Sequence, residues 1–103
     1  MAVYLLHSSV PLRRSDGTLV RHYLGCTSDD GLANRLEEHT TGRSRVPIIR
    51  AFLANGGTLQ VGNLWPGRGY RDEHRMKRAG HLARHCYACR IDDLLDKWIE
   101  ALR

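Results

Sequence analysis

The 103-residue sequence has one phenylalanine, three cysteines and two lysines, and no apolar run near the roughly 18 residues that a membrane span requires. The missing run excludes a helical membrane protein. An odd cysteine count without framework spacing excludes a disulfide-stapled secreted scaffold, and only the pair Cys86-x-x-Cys89 stands out. Residues 1–8 carry no signal-peptide pattern, so the expectation is a soluble, cytoplasmic chain with no membrane partner. The length suits one domain, residues 1–103, around a single modest core.

What is present is basic charge. Lys and Arg number 16 against 11 Asp and Glu, a formal net charge of +5, and the only lysines are Lys77 and Lys97. Arginine in this excess suits bidentate contact with phosphate, and an acidic polymer is the expected partner.

The pattern predicts the order β-β-α-α-β-α-α. Residues 2–7 and 19–26 read as strands joined by a long basic loop over 8–18, with the turn signal Asp16-Gly17. Thr27, Ser28, Asp29 and Asp30 offer caps and first-turn acids for a helix over 29–39. A second helix is predicted from near Ser44, with Pro47 in its first turn, to the stop at Asn55-Gly56-Gly57. Residues 58–65 alternate as a third strand, with Leu59, Val61 and Asn63 on one face. A charged helix follows over 69–82. The last helix, 91–102, carries Ile91, Leu94, Leu95, Trp98, Ile99 and Leu102 on one stripe, which predicts that Trp98 packs this helix onto the sheet; Trp65, at the end of the third strand, is read as a packing residue over one that stacks on a base.

Four stretches occur in an order that resembles the GIY-YIG nuclease superfamily, in particular its small single-domain bacterial branch. They are Ala2-Val3-Tyr4, Tyr23-Leu24-Gly25, Asn34-Arg35-Leu36-Glu37-Glu38-His39 and Asp72-Glu73-His74-Arg75-Met76-Lys77. Ala2, Val3 and Leu24 replace the usual residues of the two tripeptides, and Cys26 stands where some relatives have a basic residue. The resemblance implies an α+β fold, a small three-stranded antiparallel sheet flanked by helices, and metal-dependent hydrolysis of DNA. It also implies catalytic roles for Tyr4, Tyr23, Arg35, His39 and Glu73, with Glu73 holding one Mg2+ or Mn2+.

The residue types suit that chemistry on their own terms. Phosphodiester hydrolysis needs an activated water, a cation for the charge developing on phosphate and help for the leaving oxygen. Arg35 and His39 are spaced i, i+4, so they share a helix face, and the two tyrosines lie on strands expected to pair, with the choice of base left open between them. Arg13, Arg14, Arg43, Arg45, Arg75, Lys77 and Arg78 are candidate nucleic-acid contacts, with Arg21 and Arg50 as further ones. Taken singly, each has an ordinary reading as a solvated charge, and Glu73 with Lys77 as an ordinary helical pair.

His81, His85, Cys86 and Cys89 raise a structural zinc site, but four ligands within nine residues crowd one ion, which counts against it. A reduced thiol pair tying the turn to the last helix is the plainer reading. Two other functions fit the same sequence: a non-catalytic nucleic-acid-binding domain of this fold, and a small interaction module whose last helix docks on a partner or a second copy.

Overall fold

Burial explains the first strand. The sheet holds β1 (Ala2–Arg13), β2 (Leu19–Thr27) and β3 (Leu59–Pro66) in the order β2-β1-β3, all antiparallel. As the middle strand, β1 is covered on both faces: residues 2–8 are all buried, His7 and Ser8 included. A strand in that position needs no polar alternation, which is why it reads as a nearly unbroken apolar run. The structure is a computed structural model describing residues 1–103.

The helices are α1 (Leu32–Thr40), α2 (Pro47–Ala54), α3 (Tyr70–Ala79) and α4 (Tyr87–Ala101), with a 3₁₀ turn (Leu82–His85) before α4. The fold is therefore α+β, in the element order the sequence predicts, and no helix is long and apolar enough to cross a membrane.

Register divides the core in two. Tyr4 faces Gly25 and Leu6 faces Tyr23, so these residues share one face of the sheet. Ile49 and Phe52 of α2 pack there, with Leu32 and Leu36 of α1 beside them. Fully burying a side chain of that kind stabilises by about 1.5–3 kcal/mol. The opposite face carries Val3, Leu5 and Leu24 against Cys86 and Ala88, with Trp65, Met76 and Leu82 around them, so Trp65 is a packing residue as expected.

Several boundaries differ from the sequence reading. β1 runs on to Arg13 through a register shift between His7 and Leu12, so the hairpin loop is five residues, 14–18, rather than eleven. Asp16 closes it by accepting from the Thr18 N–H and hydroxyl at 2.9 and 2.6 Å, and Gly17 takes φ +87°. Asp29 and Asp30 form a turn before α1 instead of its first residues. α3 stops at Ala79, three residues short of the predicted end, where Gly80 adopts φ +70°, and the 3₁₀ turn begins at Leu82.

β3 does not alternate as predicted. Leu5 pairs with Asn63 but Leu6 with Val61, so Gly62 is the extra residue of a bulge and Asn63 falls on the opposite face from Val61. A Cβ on Gly62 would lie 2.7 Å from the Cys86 sulfur, so the bulge is where Cys86 docks.

The largest departure is the last helix. α4 begins at Tyr87, four residues earlier than predicted, and among its residues only Ala88 is buried. Trp98 is 64% exposed, and Ile91, Leu94, Leu95, Ile99 and Leu102 are exposed as well. Only the first turn is covered by the rest of the fold, through Ala88 and Cys89, and every residue from Arg90 onward is exposed.

Candidate functional site

Tyr4 extends from the middle strand across Gly25, and only glycine fits there: a Cβ at Gly25 would lie 2.4 Å from both Cζ and the hydroxyl of Tyr4. The Tyr4 hydroxyl meets His39 Nε2 at 2.8 Å, and His39 Nδ1 meets the Ser44 hydroxyl at 2.8 Å. Ser44 Oγ in turn accepts from the Val46 N–H at 3.1 Å, just before α2. Tyr4, His39 and Ser44 are all buried. Tyr23 is half-buried, with its ring centroid 6.2 Å from that of Tyr4 and 5.6 Å from that of His39.

Burial and the neighbouring Tyr23 push the Tyr4 phenol strongly upward, with Arg35 opposing, so Tyr4 stays protonated. Burial, then the charge of Arg35, lowers the pKa of His39 and favours the neutral imidazole. A neutral ring between two hydroxyls can accept a proton from one side as it gives one to the other.

α3 straddles the free edge of β2: Met76 packs on one sheet face while Lys77 Nζ lies 5.9 Å from the Tyr23 ring centroid on the other. Asp72 fixes the start of this helix by accepting the Gly69 N–H at 3.3 Å. Glu73 is buried, and its Oε1 receives Lys77 Nζ at 2.7 Å. Its charge reaches the Tyr4 phenol, which it helps to raise.

Beside His39 opens a cleft of about 680 Å3 lined by Arg35, Arg43, Arg45, Glu38, Ser44 and neighbouring residues. Arg43 is held by Glu37 at 2.9 Å, and Arg35 only grazes Glu38 at 4.0 Å. Arg45 makes no ion pair.

Thus Tyr4, Tyr23, Arg35, His39 and Glu73 come from four elements to one end of the sheet, and Arg43, Arg45 and Lys77 border them. Arg13 and Arg14 do not join them. They sit at the hairpin tip, roughly 30 Å along extended strand from Tyr4. Arg75 pairs with Asp72 in a separate hollow beside Trp65, Arg68 and His85, while Arg78 and Arg50 are exposed. Arg21 lies beside Cys89, Asp92, Asp93 and Asp96, with its Nε buried and unpartnered.

A second cluster lies on the other sheet face. His7, His22, Cys86 and Cys89 each offer one ligand atom, all within 4.8 Å of one another, and could hold a metal ion. The cysteines are those singled out by the sequence, but the imidazoles are not His81 and His85. Both of those are exposed: His81 sits in a left-handed turn conformation and His85 lies edge-on to Trp65. His7 and His22 replace them because they are cross-strand partners on the face that receives the start of α4. Burial lowers both histidines, His22 to about 4 with further repulsion from His7 and Arg21, and raises the Cys89 thiol to about 11.

Sequence reasoning missed Ser44 as a site residue and His7 and His22 as ligands. Ser44 had one signal, its place before a helix with Pro in the first turn. The histidines had none short of the strand register. Comparison with models of protein families, with curated proteins and with solved structures gives no match in any of the three.

Proposed function

We propose that this chain is a GIY-YIG-like endonuclease domain that hydrolyses DNA phosphodiester bonds. The observation carrying this reading is the grouping of two phenols, a buried neutral imidazole, an arginine and a buried carboxylate, of which Arg35 and His39 also line a cleft shared with Arg43 and Arg45. Ordinary packing accounts for each residue separately, but not for their meeting next to a basic cleft suited to a phosphate backbone.

Each residue then takes a role. Tyr23, the less buried phenol, meets the attacking water: as the water oxygen bonds to phosphorus, Tyr23 takes a proton from it and passes its own phenolic proton to solvent, while the P–O ester bond breaks and the departing oxygen is protonated by solvent water. Tyr4 lies beneath, held by His39, and the Tyr4–His39–Ser44 chain lends the site a route for protons. Arg35 clamps the scissile phosphate, with Arg45 and Arg43 along the flanking backbone.

Glu73 fits a divalent ion as a single buried carboxylate with one oxygen shared by Lys77. A lone carboxylate suits Mg2+ or Mn2+, whose shell keeps water and takes substrate oxygens, and when bound the ion supplies positive charge at the phosphate.

The test is cleavage of supercoiled plasmid by the purified chain with Mg2+, Mn2+ or neither, beside Glu73→Ala and Arg35→Ala. Metal-dependent cutting lost in both variants supports the reading. Plasmid left intact in every lane, with salt-sensitive binding retained, replaces it with a non-catalytic nucleic-acid-binding domain.

A further inference from the structure

The His7, His22, Cys86 and Cys89 cluster has a geometry that hydrogen bonding does not require. His7 Nδ1 and His22 Nε2 are 3.3 Å apart, each cysteine sulfur is 3.5 Å from His7 Nδ1, and Cys89 Sγ is 3.2 Å from His22 Nε2. Four side chains gather their heteroatoms into one small group: these distances are four of the six edges of a tetrahedron, and the other two, from Cys86 Sγ to Cys89 Sγ and to His22 Nε2, are within 4.8 Å. Bonds of about 2.3 Å to sulfur and about 2.0–2.1 Å to nitrogen, at the tetrahedral angle, give edges of about 3.3–3.4 Å between nitrogens and about 3.5–3.6 Å between sulfur and nitrogen. Of the four of six edges given above, three match to within about 0.1 Å and the fourth is shorter by roughly 0.3 Å.

The donors come from three segments that the fold must bring together. His7 and His22 are paired across β1 and β2, Cys86 immediately precedes α4 and Cys89 lies in its first turn. Gly62, at the bulge of β3, leaves the room in which Cys86 sits. All three cysteines of the chain are free thiols.

We propose that His7, His22, Cys86 and Cys89 bind one Zn2+ in a closed structural centre that fastens the start of α4 to the β1–β2 pair. Two sulfurs and two imidazole nitrogens favour zinc over magnesium or calcium, and four protein ligands leave no open position for a substrate. A two-iron cluster with the same donors would hold the histidine pair on one iron and the cysteine pair on the other. Here the two pairs interleave around one centre. The site also answers a problem of the fold, since α4 buries only Ala88 and has little other purchase on the sheet. The proposal is independent of the nuclease reading, because the cluster lies on the opposite sheet face from Tyr4 and Tyr23.

The test is elemental analysis of the full chain purified without chelator, followed by removal of the metal and titration with Co2+. One zinc per chain is expected, and one Co2+ should restore a spectrum with tetrahedral ligand-field bands and a thiolate charge-transfer band. Cys89→Ser should lose charge-transfer intensity and His22→Ala should lose stoichiometric binding, whereas His81→Ala with His85→Ala should keep one equivalent. A chain that is folded by circular dichroism yet takes up neither ion overturns the proposal. So does a Cys86–Cys89 disulfide found by mass spectrometry in the purified protein, or a Co2+ spectrum unchanged in Cys89→Ser. If the single variants fail to fold, the wild-type stoichiometry and Co2+ spectrum still decide it.

Discussion

The Tyr4 hydroxyl and His39 Nε2 stand 2.8 Å apart, a buried contact between residues 35 positions apart in the chain. It ties the middle strand to α1 and gives the two tyrosines different environments. Tyr4→Phe leaves the buried His39 Nε2 without its partner and is expected to lose about 1–3 kcal/mol of stability while leaving part of the cleavage rate. Tyr23→Phe is expected to keep stability while cleavage falls about 10²–10⁴-fold. Denaturation midpoints with single-turnover rates on plasmid would check this, and the reverse ranking would move the water to Tyr4.

Stability should depend on pH through His39. Its pKa in the fold is below the ordinary imidazole value of 6.5 because it is buried. Above that value both folded and unfolded chains hold it neutral, and its contribution is complete. As pH falls below it, the unfolded chain binds a proton that the folded chain resists, so stability declines until folded His39 also titrates. The slope of melting temperature against pH in this window should be shallower in His39→Asn at constant metal supply. Equal slopes would show that His39 is not protonated differently in the two states.

Gly25→Ala should be costly out of proportion to its size. The new methyl would have to displace the Tyr4 ring from its place over Gly25, at an expected cost of about 1–3 kcal/mol. Near-UV circular dichroism would report the moved ring. A variant with the wild-type midpoint and spectrum would mean that Tyr4 does not lie there in solution.

The three cleft arginines should contribute unequally to DNA binding. Arg43 is already engaged by Glu37, while Arg45 has no acidic partner. Arg45→Ala should reduce the slope of log affinity against log salt by about 0.9, and Arg43→Ala by less. Fluorescence anisotropy at several salt concentrations would measure both, and equal slopes would remove the distinction.

Trp98→Ala should change fold stability by no more than about 0.5 kcal/mol, whereas Phe52→Ala should cost about 3–5 kcal/mol. Their exposures are 64% and 0%. A large loss at Trp98 in dilute protein would mean that α4 folds back onto the body.

What was legible in the sequence followed from local pattern. The apolar stretch at Val3–Leu6, the stripe of Ile49 and Phe52, and the glycine stops gave the elements in their right order. The five residues of the resemblance lie in sequence order on four recognisable segments, Arg35 and His39 sharing α1. Trp98 was misplaced because an apolar stripe says that a face seeks cover, not that the sheet has room for it. The Gly62 bulge was invisible because alternation on either side of it looks regular. His7 and His22 went unseen for a related reason. They lie 15 residues apart and more than 60 from the cysteines, and only the register Leu6 to Tyr23 and His7 to His22 aligns them. A search for ligands near Cys86 and Cys89 along the chain turns instead to His81 and His85.

That register also couples the two faces. His22 and Tyr23 are neighbours on β2 whose side chains point to opposite sides, as are Leu6 and His7 on β1. A one-residue slip of β2 against β1 would carry Tyr23 away from Tyr4 and His22 away from His7 in the same movement. The histidine pair therefore indexes the strands: when His7 and His22 are in register beside the cysteines, the phenol next door stands beside Tyr4 and His39.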